Sequence, residues 1–383
     1  MIPLFKVFMA PYAGVRAAEI LNSGFIGQGK VVDEFESELG KFLNAPFVVT
    51  TNSATSAEHL ALRLLAKPVY NTAGANIFPG LNQGDEVLAT ALTCTASNWP
   101  ILMEGYKIKW VDIDETLNMD LDDLARKITP TTKAIMLVFW GGMPVDMYKL
   151  EGILHQAYLN NGFYPQVIID GAHSFGTTFD DFPLSEFSHL TTYSFQAIKH
   201  ITSIDGGALV LPKKDMFKRA KLLRWYGIDR EGDRTDFRCE LDIPEIGTKW
   251  HMNDVSATVG LANLEYAETI LNGYRSNTFM YNAKLKNIDG VLQVAKTPFS
   301  NSASWLHTIH VERREDFMKM MESKGITVSR VHERNDIHSA VKEFKTQLPT
   351  LDKLSKTMIC IPNGWWVSQD DCQYIVDTIK AGW

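Results

Sequence analysis

Apolar positions in this chain fall in short runs separated by helical stretches, and the alternation is most regular between residues 47 and 210. Phe47–Thr50, Val87–Ala89, Lys109–Asp114, Lys133–Trp140, Val167–Ile169, Thr191–Ser194 and Ala208–Val210 read as short buried strands. Between them, the segment opening at Thr51 carries apolar residues at helical spacing as far as Leu62, and Asp120–Lys127 predicts another helix. Strands alternating with helices predict a mostly parallel sheet covered on both faces, hence an α/β fold. Outside this region, helices are predicted over Val15–Leu21, stopped by Asn22-Ser23-Gly24, over Val31–Leu43 and over Lys213–Leu223. A helix over Val255–Leu271 is expected to lead into a second domain with a strand at Leu306–Val311 and a helix at Glu315–Lys324. Residues 67–84, rich in Pro, Gly and Asn, are predicted to form a surface loop.

Composition narrows the class. The 383 residues suffice for two domains, expected at 1–262 and 263–383. Apolar residues at 45% and charged residues at 22% are those of an ordinary globular protein. The net charge is −7 and no basic block of five or more residues occurs, so a nucleic-acid partner has no electrostatic footprint. The four cysteines, Cys94, Cys239, Cys360 and Cys372, are scattered and form no CxxC, which argues against a structural metal site and fits a reducing compartment. Met1–Lys6 lacks a signal-peptide layout and no run approaches the length of a membrane span. A cytoplasmic protein with no membrane partner is expected.

Candidate chemistry centres on Lys199, which lies between the strand ending at Ser194 and the one starting after Gly206-Gly207. Alone it reads as a loop lysine. One strand–connection–strand unit upstream, however, Asp170 ends the apolar run Val167–Ile169 and is followed by Gly171-Ala172-His173. An acid at the carboxyl end of a parallel strand faces the crevice where α/β folds bind ligands. An end-of-strand Asp paired with a later Ser-x-x-x-x-Lys suits pyridoxal phosphate (PLP): the lysine forms the Schiff base, and the acid keeps the pyridine nitrogen protonated. Thr51-Asn52-Ser53-Ala54-Thr55-Ser56 opens a helix with small hydroxyl residues, which reads as an N-cap and also as a phosphate site. Gly24–Lys30 is glycine-rich but follows no strand, so it is not a dinucleotide fingerprint.

These segments, with Gly84-Asp85-Glu86-Val87, Trp140-Gly141-Gly142-Met143-Pro144-Val145-Asp146 and Gly247–Asp254, resemble in order and over nearly the whole chain the DegT/DnrJ/EryC1/StrS family of PLP-dependent sugar aminotransferases. The resemblance implies the aspartate-aminotransferase fold (fold type I): a three-layer α/β/α large domain with a smaller α+β C-terminal domain. It makes Lys199 and Asp170 catalytic, puts Ala54 and Thr55 at the family's Ser-Gly-Thr phosphate site, Ser194 at a second phosphate contact, and His173 near the cofactor's phenolic oxygen. Cys94 takes the place of the usual ring-stacking aromatic, with Trp99 five residues on. Lys249 takes the place of an Asn that reaches the neighbouring subunit's PLP phosphate and His251 that of an Arg, so a homodimer with shared sites is implied. The implied reaction moves an amino group from an amino acid, L-glutamate, to a nucleotide-linked keto-deoxy sugar, with pyridoxamine phosphate (PMP) as the intermediate form. Three alternatives stand beside it. One is a sugar 3-dehydratase of the same family, which carries His at the lysine position (here His200 directly follows Lys199). Another is a fold-type I enzyme acting on an amino acid, and the third is a non-catalytic regulatory member. His332–His338 matches no known metal spacing and is expected in a loop, at the substrate mouth or on the surface.

Overall fold

Seven strands form the central sheet of the computed structural model, which describes residues 1–71, 73–232, 236 and 242–383. Cys239 and the middle of the charged loop after Ile228 lie outside the described residues. In chain order the strands are β1 (Val48–Thr51), β2 (Glu86–Thr90), β3 (Lys107–Val111), β4 (Thr132–Val138), β5 (Gln166–Asp170), β6 (Leu190–Ser194) and β7 (Gly207–Val210). Side by side they run β1-β7-β6-β5-β4-β2-β3. The pairs from β6 through β3 are parallel, whereas β7 is antiparallel to both β1 and β6. The connections explain this. Strands β2 to β5 are linked through helices, which a parallel crossover requires, while only residues 195–206, without a helix, join β6 to β7.

Around the sheet lie α1 (Ala13–Ser23), α2 (Lys30–Phe42), α3 (Ala54–Leu65), α4 (Thr95–Met103), α5 (Leu121–Lys127), α6 (Met147–Asn161) and α7 (Lys214–Leu223). The two-residue strand period sorts the core into two layers. Val87, Ala89, Ile108, Trp110, Ala134, Met136 and Ile168 face a layer shared with Leu60 and Leu64 of α3. Leu88, Val111, Ile135, Leu137, Val167 and Ile169 face the other, with Leu121 and Leu124 of α5 and Leu150 and Leu154 of α6. Each Val, Leu, Ile or Met among them contributes about 1.5–3 kcal/mol on burial, so the strands read as apolar runs because both faces are covered.

Further along come α8 (Asp254–Leu264), α9 (Ala267–Lys284), α10 (Arg314–Ser323), α11 (Pro349–Leu354) and α12 (Gln369–Lys380). An antiparallel sheet of β8 (Val291–Gln293), β9 (His307–Val311) and β10 (Met358–Ile361) packs Ile309, Val311, Ile359 and Ile361 against Tyr281, Phe317, Ile375 and Ile379.

Two sequence expectations are corrected. The helix predicted over Val255–Leu271 is two, broken at Glu265-Tyr266. The buried Asn263 side chain accepts from the Ala10 N–H at 2.8 Å and donates to the Thr202 carbonyl at 2.8 Å, which ties the end of α8 to distant segments where no Gly or Pro marks a stop. The predicted surface loop 67–84 holds a hairpin, Val69–Tyr70 with Asn76–Phe78, whose Phe78 joins the core.

One polar cross-link anchors the edge of the sheet. Arg224, 1% exposed, reaches the Thr50 carbonyl at 2.9 Å and pairs with Glu36, whose Oε1 accepts from both Thr50 N and Oγ1 at 2.8 Å. Arg224→Met leaves the Glu36 carboxylate without its counter-charge, and urea unfolding should show a loss of about 3–5 kcal/mol. The double replacement Glu36→Leu/Arg224→Met should lose less, because neither charge is then stranded.

Candidate active site

The carboxyl ends of β1, β4, β5 and β6 meet the start of β7 along one edge of the sheet: Asp170 pairs with Val138 and Thr192, and Gly207 with Ser194 and Thr51. Gly207 is required there for space. A Cβ on it would lie 2.5 Å from Ala54 N, so α3 could not start beside the strand. The first turn of α3 therefore opens next to Ser194. Ser53 caps the helix by accepting from Ser56 N at 3.1 Å, and Ala57 N donates to the Ser53 carbonyl. Among the described residues this leaves the N–H groups of Ala54 and Thr55 at the open, electropositive helix start. Ser53, Ala54, Thr55 and Ser194 are all half-buried.

Asp170, 4% exposed, is held by Ser97 Oγ at 2.5 Å on Oδ2 and by Ala172 N at 3.0 Å on Oδ1. Lys199 lies across from it. The lysine is half-buried overall, yet its amine has lost enough solvent that burial pulls it down to about 8, while Asp170 and then Cys94 and Glu58 pull the other way. Its Nζ sits 3.6 Å from the centre of the Trp305 ring. The Trp305 indole in turn donates to the Ile198 carbonyl at 3.0 Å, fixing that ring to the lysine's own loop.

His173 is buried against Trp305, with ring centres 4.1 Å apart. Its Nδ1 accepts the Gly141 N–H at 3.3 Å, which assigns the ring proton to Nε2. Burial pushes it well below the ordinary imidazole value. His332 lies parallel to it at 5.8 Å, lowered to about 4 by burial and by the charge of Lys199, and its Nε2 is buried without a partner among the described residues. The loop carrying His332 is thus docked on the site. Val331 adopts φ 67°, a conformation costly for a β-branched residue. Arg334 forks onto Asp336 with two 2.7 Å bonds, and Asn335 donates through N to the Ala91 carbonyl at 2.8 Å and through Nδ2 to the Cys94 carbonyl at 3.3 Å.

Of the residues singled out in the sequence, Lys199, Asp170, His173, Ser194, Ala54, Thr55 and Cys94 are brought to this one edge. Cys94 caps α4, half-buried and within electrostatic reach of Lys199. Trp99 instead turns its ring edge to His338 at 5.9 Å. His200 is directed elsewhere: its Nε2 bonds the Ala303 carbonyl at 3.0 Å, Tyr274 covers it at 4.7 Å, and burial lowers it to about 3. Lys249 is exposed, in an isolated bridge with Trp225, and the His251 ring lies tilted by 32° against that same tryptophan, with ring centres 3.5 Å apart. Sequence reasoning missed Glu58, Ser97 and Trp305. For Glu58 a signal existed: an acid among the apolar positions of α3.

The chemistry of this set fits PLP. A deprotonatable amine can bind its aldehyde, a strand-end carboxylate its ring nitrogen, and a helix start with hydroxyls its phosphate. The DegT/DnrJ/EryC1/StrS aminotransferase family matches the chain over residues 14–380. Among solved structures, AtS13 from Actinomadura melliaura is 43% identical with a TM-score of 0.94, over 100% of this chain and 99% of its own. The sugar aminotransferase CalS13 from Micromonospora echinospora is 40% identical with a TM-score of 0.93, over 100% of both chains. The GDP-perosamine synthase of Escherichia coli O157:H7 is 28% identical over 99% of this chain and 98% of its own.

Only the neutral amine attacks a carbonyl, so the pH dependence of Lys199 reactivity follows from its burial. Borohydride trapping of pyridoxal on the protein, located by peptide mapping, should reach half its maximum near pH 8 at Lys199. A half-maximum close to the ordinary lysine value of 10.5 would mark a solvated amine instead.

Proposed function

The chain belongs to the DegT/DnrJ/EryC1/StrS aminotransferase family, and within it we propose that this protein moves an amino group from L-glutamate to the keto group of a nucleotide-linked deoxy sugar, using PLP and its aminated form PMP. The observation that carries this is the desolvated amine of Lys199 set against the strand-end carboxylate of Asp170. The sugar class is supported by the names of the relatives, among them a sugar aminotransferase and a GDP-perosamine synthase.

When bound, PLP supplies an electron-withdrawing ring that spreads the charge left when a carbon–hydrogen bond is broken. The rest falls to the chain. Lys199 Nζ provides the amine that would anchor the cofactor aldehyde and, once displaced by the donor, the base that would carry the proton from the donor's α-carbon to the cofactor's C4′. At about 8 it is available in both protonation states near neutral pH. Asp170 holds a proton on the ring nitrogen, kept in position by Ser97 and Ala172. The N–H groups of Ala54 and Thr55, with Ser194, hold the phosphate. His173 presents its Nε2–H to an oxygen of the cofactor, since Gly141 occupies the other nitrogen. Trp305 and His332 wall the lysine from water. The exposed Lys249 is assigned to the phosphate of a second subunit, which makes the working unit a homodimer. No helix among the described residues is long and apolar enough to cross a membrane, and we place the enzyme in the cytoplasm.

The test is a visible absorption spectrum of the protein with PLP, before and after glutamate, beside Lys199→Ala. A yellow band that glutamate bleaches and that the variant lacks is expected. Turnover with keto-sugar nucleotides should fall by at least about 10²-fold in the variant. A band that glutamate leaves unchanged would exclude this donor, and no band at all would overturn the proposal.

A further inference from the structure

Glu58 is a buried acid for which the reaction above has no use. It stands in the second turn of α3, 1% exposed, between the wholly buried Ala57 and Leu60. Its Oε2 is buried with no hydrogen-bond donor among the described residues. Glutamate almost never enters a protein interior unpaired, and nothing apolar around α3 calls for a carboxyl. Of the charged or titratable groups around it, Asp170 on β5, the strand that α3 packs against, acts on it most strongly, followed by Cys94 at the head of α4 and Lys199 after β6.

Two ionised carboxylates cannot stay in contact out of water, and the single ammonium of Lys199 balances only one of them. A carboxyl pair holding one proton resolves the conflict: repulsion becomes an O–H···O⁻ hydrogen bond of the strong, charge-assisted kind. Asp170 already accepts from Ser97 on Oδ2 and from Ala172 on Oδ1, so a third donor would further fix its plane. Burial, with Asp170 next, holds the Glu58 carboxyl well above the carboxylate range, in keeping with a proton on Glu58.

We propose that Glu58 is a positioning residue, sharing one proton with Asp170 so that Glu58 donates, Asp170 accepts, and one correctly aimed negative charge is offered to the ring nitrogen of the cofactor. This rests on the assignment of PLP to the site. A protein that keeps a proton on Glu58 when folded and gives it up when unfolded loses stability as pH rises from the ordinary carboxylate range through the folded value.

The experiment uses the full-length chain, first stripped of cofactor and then reconstituted with PLP. Infrared spectra of the stripped wild type at neutral pH should contain the C=O band of a protonated carboxyl that Glu58→Gln lacks, and the variant should lose less stability than wild type as pH rises. On reconstitution, Glu58→Gln, which keeps a neutral donor, should bind PLP about as tightly as wild type. Glu58→Leu should bind about tenfold more weakly, the worth of one oriented hydrogen bond. A side chain that merely fills space predicts the opposite order, with leucine tolerated best. Absence of the infrared band from wild type, its persistence in Glu58→Gln, or wild-type affinity in Glu58→Leu overturns the proposal. If wild type binds no PLP, the cofactor assignment falls and the role of Glu58 with it, while the infrared result still reports whether the proton is shared.

Discussion

An amine removed from water gives up the solvation that keeps it an ammonium, and everything at the head of this sheet is arranged around that loss at Lys199. Burial alone would carry the amine lower still. Asp170, at the end of β5, returns part of what solvent no longer supplies, and the face of Trp305 lies against the nitrogen. The balance leaves a group able to change charge near neutrality. The surrounding imidazoles have no such balance: His173, His332 and His200 are all lowered, so they act there as neutral donors, acceptors and walls. One environment thus separates the group that titrates from those that do not.

The scaffold achieves this with backbone more than with side chains. Parallel strands deliver Asp170 and Ser194 to the same edge by register, and glycine at 207 lets a helix begin within van der Waals range of a strand. Gly142, at φ 92°, comes so close under the His173 carbonyl that a Cβ would lie 2.5 Å from it. Such close approaches leave little room for the site to drift, and His332, parallel to His173, brings the far loop onto it from the other side.

Much of this was legible in the sequence because it is local. An acid ending an apolar run, a Ser-x-x-x-x-Lys before a Gly-Gly pair, and a hydroxyl-rich helix start each carry their meaning within a few residues. What stayed hidden depends on distant partners. Nothing near Trp305 announces a lysine a hundred positions away, and nothing near Glu58 announces Asp170. The α8–α9 break carries no Gly or Pro, because it is held by Asn263 reaching segments far away in the chain. The Pro/Gly-rich stretch 67–84 has loop composition, yet it folds back to bury Phe78. The reversed direction of β7 was likewise unreadable from its apolar pattern, which is the same for either orientation.

That reversed strand has a consequence for how the molecule is made. Among the described residues β1 pairs along its length with β7, with one further bridge from Thr51 to the later His251, although most of the central sheet is synthesised between β1 and β7. As the chain leaves the ribosome, β1 and the start of α3 must wait with an unpaired edge until residues 207–210 emerge. Such long-range pairing makes for slow folding and exposes strand edges to wrong partners in the interval. The helix start beside Ser194 is therefore a late structure, completed by the same strand that completes the sheet. A nascent chain that stops short of β7 can form the parallel strands β2 to β6 but lacks Gly207, the strand start against which α3 opens, so assembly of this edge of the site and closure of the sheet become one event.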